Sequence, residues 1–112
     1  MNQEKRHPDT DREFKVFKQA ALVNMKEVLL GVATGISAAP SKNEQDKIYY
    51  SEIPKLQIRV DAVCSSVENQ LTPGELRGYL NIWVDGLQDN DKNKLILKKL
   101  LSEIKTFKEL EI

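Results

Sequence analysis

The stretch Gln19-Ala20-Ala21-Leu22-Val23-Asn24-Met25-Lys26-Glu27-Val28-Leu29-Leu30-Gly31-Val32-Ala33-Thr34-Gly35-Ile36-Ser37-Ala38-Ala39 is the most apolar part of the chain. At helical spacing Leu22, Met25, Leu29, Val32 and Ile36 form one stripe, and Phe14, Phe17, Ala21 and Val28 widen it. A helix apolar over so much of its circumference needs neighbours on more than one flank.

Three copies of one local signal divide the chain. Thr10-Asp11-Arg12-Glu13, Ser41-Lys42-Asn43-Glu44 and Thr72-Pro73-Gly74-Glu75 each place a hydroxyl residue three positions before a glutamate and open an apolar-periodic run. In such a capping box the hydroxyl accepts from the amide of the third helical residue, and the glutamate accepts from the cap amide. Pro73 stands where its missing donor costs nothing.

The first helix is expected from about Asp11 to about Ala38, about 40 Å at 1.5 Å per residue. Its second half is intrinsically poor, because Gly31 and Gly35 each cost about 1 kcal/mol against alanine in a helix interior. The two glycines lie one turn apart, so they read as a notch for close helix approach, with a break near Gly31 as the alternative.

The second helix begins near Lys42 and meets Pro54. Its stripe of Tyr49, Ile53, Leu56, Val60, Val63 and Val67 passes through the proline in phase. A kink at Pro54 is expected, because proline removes one hydrogen bond and crowds the carbonyl of Tyr50, with a break at Ser51 to Ile53 as the alternative.

The third helix, Pro73 to Asp85, places Leu76, Leu80 and Trp83 on one face, with Tyr79 and Val84 beside them. Gly86 reads as a left-handed stop followed by the apolar Leu87. Asp89 and Asp91 then offer N-caps for a fourth helix over residues 91–110 carrying Ile96, Leu97, Leu100, Leu101, Ile104 and Phe107. Short links make sequence neighbours antiparallel. The reading is an all-α, antiparallel four-helix bundle: residues 1–9 a flexible tail, residues 10–112 one domain.

Composition narrows the function. The 112 residues hold 17 basic and 17 acidic side chains, so no net charge steers the protein towards nucleic acid or an anionic membrane. A signal peptide would be short and basic at its start, whereas Glu4, Asp9, Asp11 and Glu13 precede the apolar run. A membrane span is disfavoured by Lys26 and Glu27 inside the window. The single Cys64 fits a reducing compartment, and a cytoplasmic protein is expected.

No catalytic constellation, cofactor motif or metal-ligand spacing is legible. His7, the only histidine, falls in the tail. Cys64 reads as an inert thiol beside Val63, since a reactive one needs a cationic or helix-start setting. Asp85, Asp89 and Asp91 lack the alternate ligands, central glycine and terminal glutamate of a calcium loop. The protein is not expected to be an enzyme.

Two binding functions remain. Val16, Val23, Tyr50, Ile58 and Leu95 fall off the main stripes. Among these, Tyr50, Ile58 and Leu95 are the candidate partner-binding residues, Tyr50 foremost because tyrosine is a common interface anchor. They point to a small regulatory protein that binds another protein (an adaptor, inhibitor, chaperone or regulatory subunit) and that forms a homodimer. The alternative is a DNA-associated regulator with helices 73–85 and 91–110 as a helix-turn-helix-like unit and Lys92, Asn93 and Lys94 opening the recognition helix. Against it stand Asp89 and Asp91 at that helix start, the long link from Gly86 to Asp91, and the lack of an arginine to read guanine.

Overall fold

A computed structural model of the chain describes residues 8–110, with side chains from residue 15 onward. It is an all-α bundle of α1 (Pro8–Ala38), α2 (Lys42–Ser65), α3 (Pro73–Asp85), α4 (Lys92–Glu103) and α5 (Lys105–Glu109). The expected tail lies mostly outside the described residues, His7 with it. The first helix starts at Pro8, so Thr10 stands inside it instead of capping it. The side chains of the expected Thr10–Glu13 box lie outside those described.

α1 runs unbroken through Gly31 and Gly35 and packs against α2, α4 and α3. Leu22, Met25, Leu29, Ala33 and Ile36 are buried, while Val32 joins Ala21 and Val28 at the edge of the core. Burying each large aliphatic side chain gains about 1.5–3 kcal/mol, which outweighs about 1 kcal/mol lost at each glycine. The expected close approach at the glycines does not occur. Both face solvent, and a Cβ added at either meets nothing within 4 Å. They lie on the flank towards α2, in an open groove with Val28, Val32, Ile48 and Glu52, where no backbone comes near. Phe17, expected to widen the buried stripe, is exposed, as are Val16, Val23 and Leu30.

α2 starts where its sequence predicts, with half of the expected box: the Ser41 hydroxyl accepts from the Glu44 amide at 3.2 Å, and the Glu44 carboxylate does not return a bond to the cap amide. The helix continues through Pro54. Tyr49, Leu56 and Val60 are buried and Ile53 and Val63 pack at the core edge, but Val67 is 83% exposed. The helix stops at Ser65, where the Asn69 side chain donates to the Val63 carbonyl at 3.3 Å, so Val67 falls beyond the stripe.

At α3 the capping box is complete: the Glu75 amide donates to Thr72 Oγ1 and the Thr72 amide to Glu75 Oε1, both at 3.1 Å. The buried row is Leu76, Leu80 and Val84, and Trp83 is displaced to the edge of the core. Gly86 is not left-handed, with φ −78° and ψ −8°. The reason is Lys94 of α4, whose ammonium donates to the carbonyls of Asp85 (3.3 Å) and Leu87 (2.9 Å) and to Asp89 Oδ1 (2.9 Å). A cation at a helix C-terminus satisfies the last carbonyls and the helix dipole together.

The fourth helix is capped by Asp91, whose Oδ1 accepts from the Asn93 amide at 2.8 Å. It does not reach residue 110. At Ile104 the backbone becomes extended (φ −69°, ψ 121°) before α5 restarts. The amide of Thr106, freed by the break, donates to Gln57 Oε1 of α2 at 3.1 Å. Thr106 Oγ1 donates to Asp61 Oδ1 at 2.8 Å, and Gln57 Nε2 donates to the same oxygen at 2.8 Å. This network replaces the missing helical bonds while Ile104 and Phe107 stay buried.

Candidate functional site

Cys64 is half-buried, and burial, then the nearby Asp61 charge, pushes its thiol up, away from the nucleophilic thiolate. Hydrogen bonding and charge from Lys94 hold the Asp89 carboxyl below its usual range, while Asp91 caps α4. Among the described residues no three His, Cys, Asp or Glu side chains are grouped to hold a metal ion.

Four of the six lysines between residues 92 and 108 are engaged, whereas Lys92 and Lys105 are exposed and hold no ion pair among the described residues. Lys94 caps α3, Lys98 lies 3.7 Å from Asp85, Lys99 sits 4.6 Å from the Tyr49 ring centroid, and Lys108 lies 3.1 Å from Glu103. A recognition helix needs its first-turn side chains free for the groove. Here Asn93 turns inward, its Nδ2 donating to Thr34 Oγ1 of α1 at 3.4 Å.

The three residues singled out from the sequence are solvent-exposed: Tyr50 by 68%, Ile58 by 70% and Leu95 by 77%. Tyr50 and Ile58 share α2 and stand on either side of the exposed Pro54 at successive four-residue steps, forming one apolar row along that helix. Leu95 belongs to α4, among Lys92, Lys98 and Lys99.

The Tyr50 end rests on a buried residue. Its ring meets Tyr49 edge-on, with centroids 5.2 Å apart and planes at 89°. Tyr49 is buried, and its hydroxyl donates to the Lys99 carbonyl at 3.3 Å. Burial, then the Glu103 charge and Tyr50, push its phenol up to about 12. A cavity of about 270 Å³ opens beside it, lined by Ile36, Lys42, Gln45, Asp46, Tyr49, Ile96 and Lys99.

A second apolar surface escaped the sequence reading. Between α1 and α3 lies a groove of about 310 Å³ walled by Leu22, Tyr79, Ile82 and Trp83, with Lys18, Gln19 and Lys26 completing its lining. Ile82 is 73% exposed, and the Lys26 ammonium lies 5.9 Å from the Trp83 ring centroid. The signal was the surplus on the third helix: Tyr79, Ile82 and Trp83 remain after Leu76, Leu80 and Val84 have filled the buried row.

α1 also has a property that the fold only partly uses. From Lys15 to Ala38 it is long and apolar enough to cross a membrane by length and composition, with 28% of the qualifying window buried in the bundle. No protein-family model matches the sequence, and no curated protein or solved structure is significantly similar to it.

Proposed function

We propose that this is a small, non-catalytic, cytoplasmic helical protein that binds another protein and regulates it. The observation that carries the reading is the Tyr50–Pro54–Ile58 row. Large apolar side chains scattered singly over a surface are ordinary. Here two, Tyr50 and Ile58, lie eight residues apart on one helix with the exposed Pro54 midway. The tyrosine is backed by a buried, hydrogen-bonded ring, which limits the side-chain entropy it loses on binding.

The test is affinity capture with the wild-type chain and with Tyr50→Ala and Ile58→Asp. Both positions are exposed, so helicity by circular dichroism should be unchanged while capture of the partner is lost. Retention of the same partner by both variants, with folding intact, would place the surface elsewhere. The same row is the site at which a homodimer would form. Sedimentation velocity across a hundredfold concentration range reads this directly, with Ile58→Asp expected to shift the chain to monomer.

A further inference from the structure

The α1–α3 groove has a chemistry distinct from the α2 row. Building on the reading as a binding module, we infer that the groove takes an amphipathic helix of a partner protein, with carboxylates flanking its apolar face.

Its walls are Leu22, Tyr79, Ile82 and Trp83, and every charged side chain that lines it is a lysine. Lys26 makes no ion pair among the described residues, and its ammonium lies against Trp83. Lys18 has one carboxylate, Glu75 at 3.5 Å. An apolar trough with cationic margins complements a helix whose anchors are aliphatic or aromatic and whose flanks are acidic. Tyrosine and tryptophan are the side chains that most often dominate interface energetics.

The occupant is a helix for two reasons. The described residues contain no strand, so an extended peptide would find no sheet edge to satisfy its backbone, whereas a helix brings its hydrogen bonds with it. Lys18 and Lys26 are also separated by about 12 Å along α1, close to the roughly 10.5 Å between carboxylates two turns (seven positions) apart on one face of an incoming helix.

A phosphate polymer fits less well. It needs a run of cations, and the walls offer aliphatic and aromatic surface between two lysines. A lipid surface is flat, whereas this surface is a groove between two helices, with Leu22 at its base and Ile82 projecting from one wall.

Trp83 is the only tryptophan in the chain, so its emission reports on the groove alone. The probes are a synthetic helix of about four turns with leucines on one face and glutamates seven positions apart, and its counterpart with lysine at each glutamate. Vesicles of anionic phosphatidylglycerol and a random DNA duplex complete the panel. The acidic helix should shift Trp83 emission to the blue with a sub-millimolar midpoint and bind at least tenfold more tightly than the basic one. Ile82→Asp should weaken binding at least tenfold, and Lys26→Glu should reverse the preference between the two helices.

Equal binding of the two helices would overturn the inference. So would no emission shift with the acidic helix up to millimolar concentration, unchanged binding by Ile82→Asp, or a response to vesicles or duplex alone. Failure here is separable from failure of the wider reading. A partner captured by wild type and Ile82→Asp but lost by Ile58→Asp removes the groove as its site and leaves the binding function standing. Absence of a specific partner for every variant removes both.

Discussion

Replacing Gly31 and Gly35 with alanine should stabilise the protein. Both lie in the interior of α1, neither has a positive φ, and a Cβ added at either meets no atom within 4 Å. No steric or conformational requirement for glycine exists at either site. What remains is the backbone entropy of glycine in the unfolded chain, about 1 kcal/mol per exposed helical position. The double variant should therefore gain about 2 kcal/mol, or about 8 °C in Tm at about 4 °C per kcal/mol. Thermal unfolding followed by far-UV circular dichroism on the wild type, both single variants and the double variant measures it. Gly78→Ala in α3 is the control, since its Cβ also meets nothing within 4 Å and it should gain about 1 kcal/mol. A fall in Tm for Gly31→Ala or Gly35→Ala, with the control gaining, would refute the reasoning. It would mean that another chain lays backbone against these glycines in solution.

Thr72→Ala removes one side of the complete capping box and should cost about 1 kcal/mol in urea unfolding, with Thr72→Ser recovering most of it. Gln57→Ala withdraws the acceptor of the Thr106 amide, so hydrogen exchange over Lys105–Glu109 should quicken while the α1 core stays protected. Hydrogen bonds from Gln57 and Thr106 depress the Asp61 carboxyl, the Thr72 amide and Lys18 depress Glu75, and Lys94 depresses Asp89. For a depressed carboxylate the stabilisation is present above its unfolded value and lost as pH falls through the folded one, so urea midpoints should hold from neutral pH to about 5 and then decline. Tyr49 has the opposite sign: its stabilisation is complete below the unfolded phenol value and disappears as pH rises through about 12. An alkaline absorbance titration should show one late tyrosine component, absent in Tyr49→Phe.

The helix starts at Lys42, Pro73 and Lys92 were legible because capping is local, a side chain answering an amide two or three residues away. The buried stripe of the first helix was legible for the same reason, since one face of one helix is a property of its own spacing. What escaped notice depends on groups distant in sequence. Nothing between Leu100 and Leu110 announces a break at Ile104; the replacement acceptor is Gln57, from the second helix. Gly86 needs no left-handed turn because Lys94 arrives from the next helix to serve the carbonyls of Asp85 and Leu87 on either side of it. Trp83 and Val84 differ by one step around α3, and the position of α1 decides which is buried. The α1–α3 groove likewise exists only as the sum of two surfaces, each ordinary alone. Tyr50, Ile58 and Leu95, by contrast, were identifiable as outward-facing from periodicity alone, and the structure leaves all three exposed.

The packing of α1 against α4 has a consequence for biosynthesis. Met25 and Leu29 share a core with Leu97, Leu100 and Ile104, residues translated some seventy positions later. Until those codons have been read, the greasiest segment of the polypeptide has lost the shelter of the ribosome tunnel without gaining its final cover. A nascent chain stalled before the fourth helix should therefore be sticky and dependent on holdase chaperones, and premature stop codons in that interval should yield aggregates.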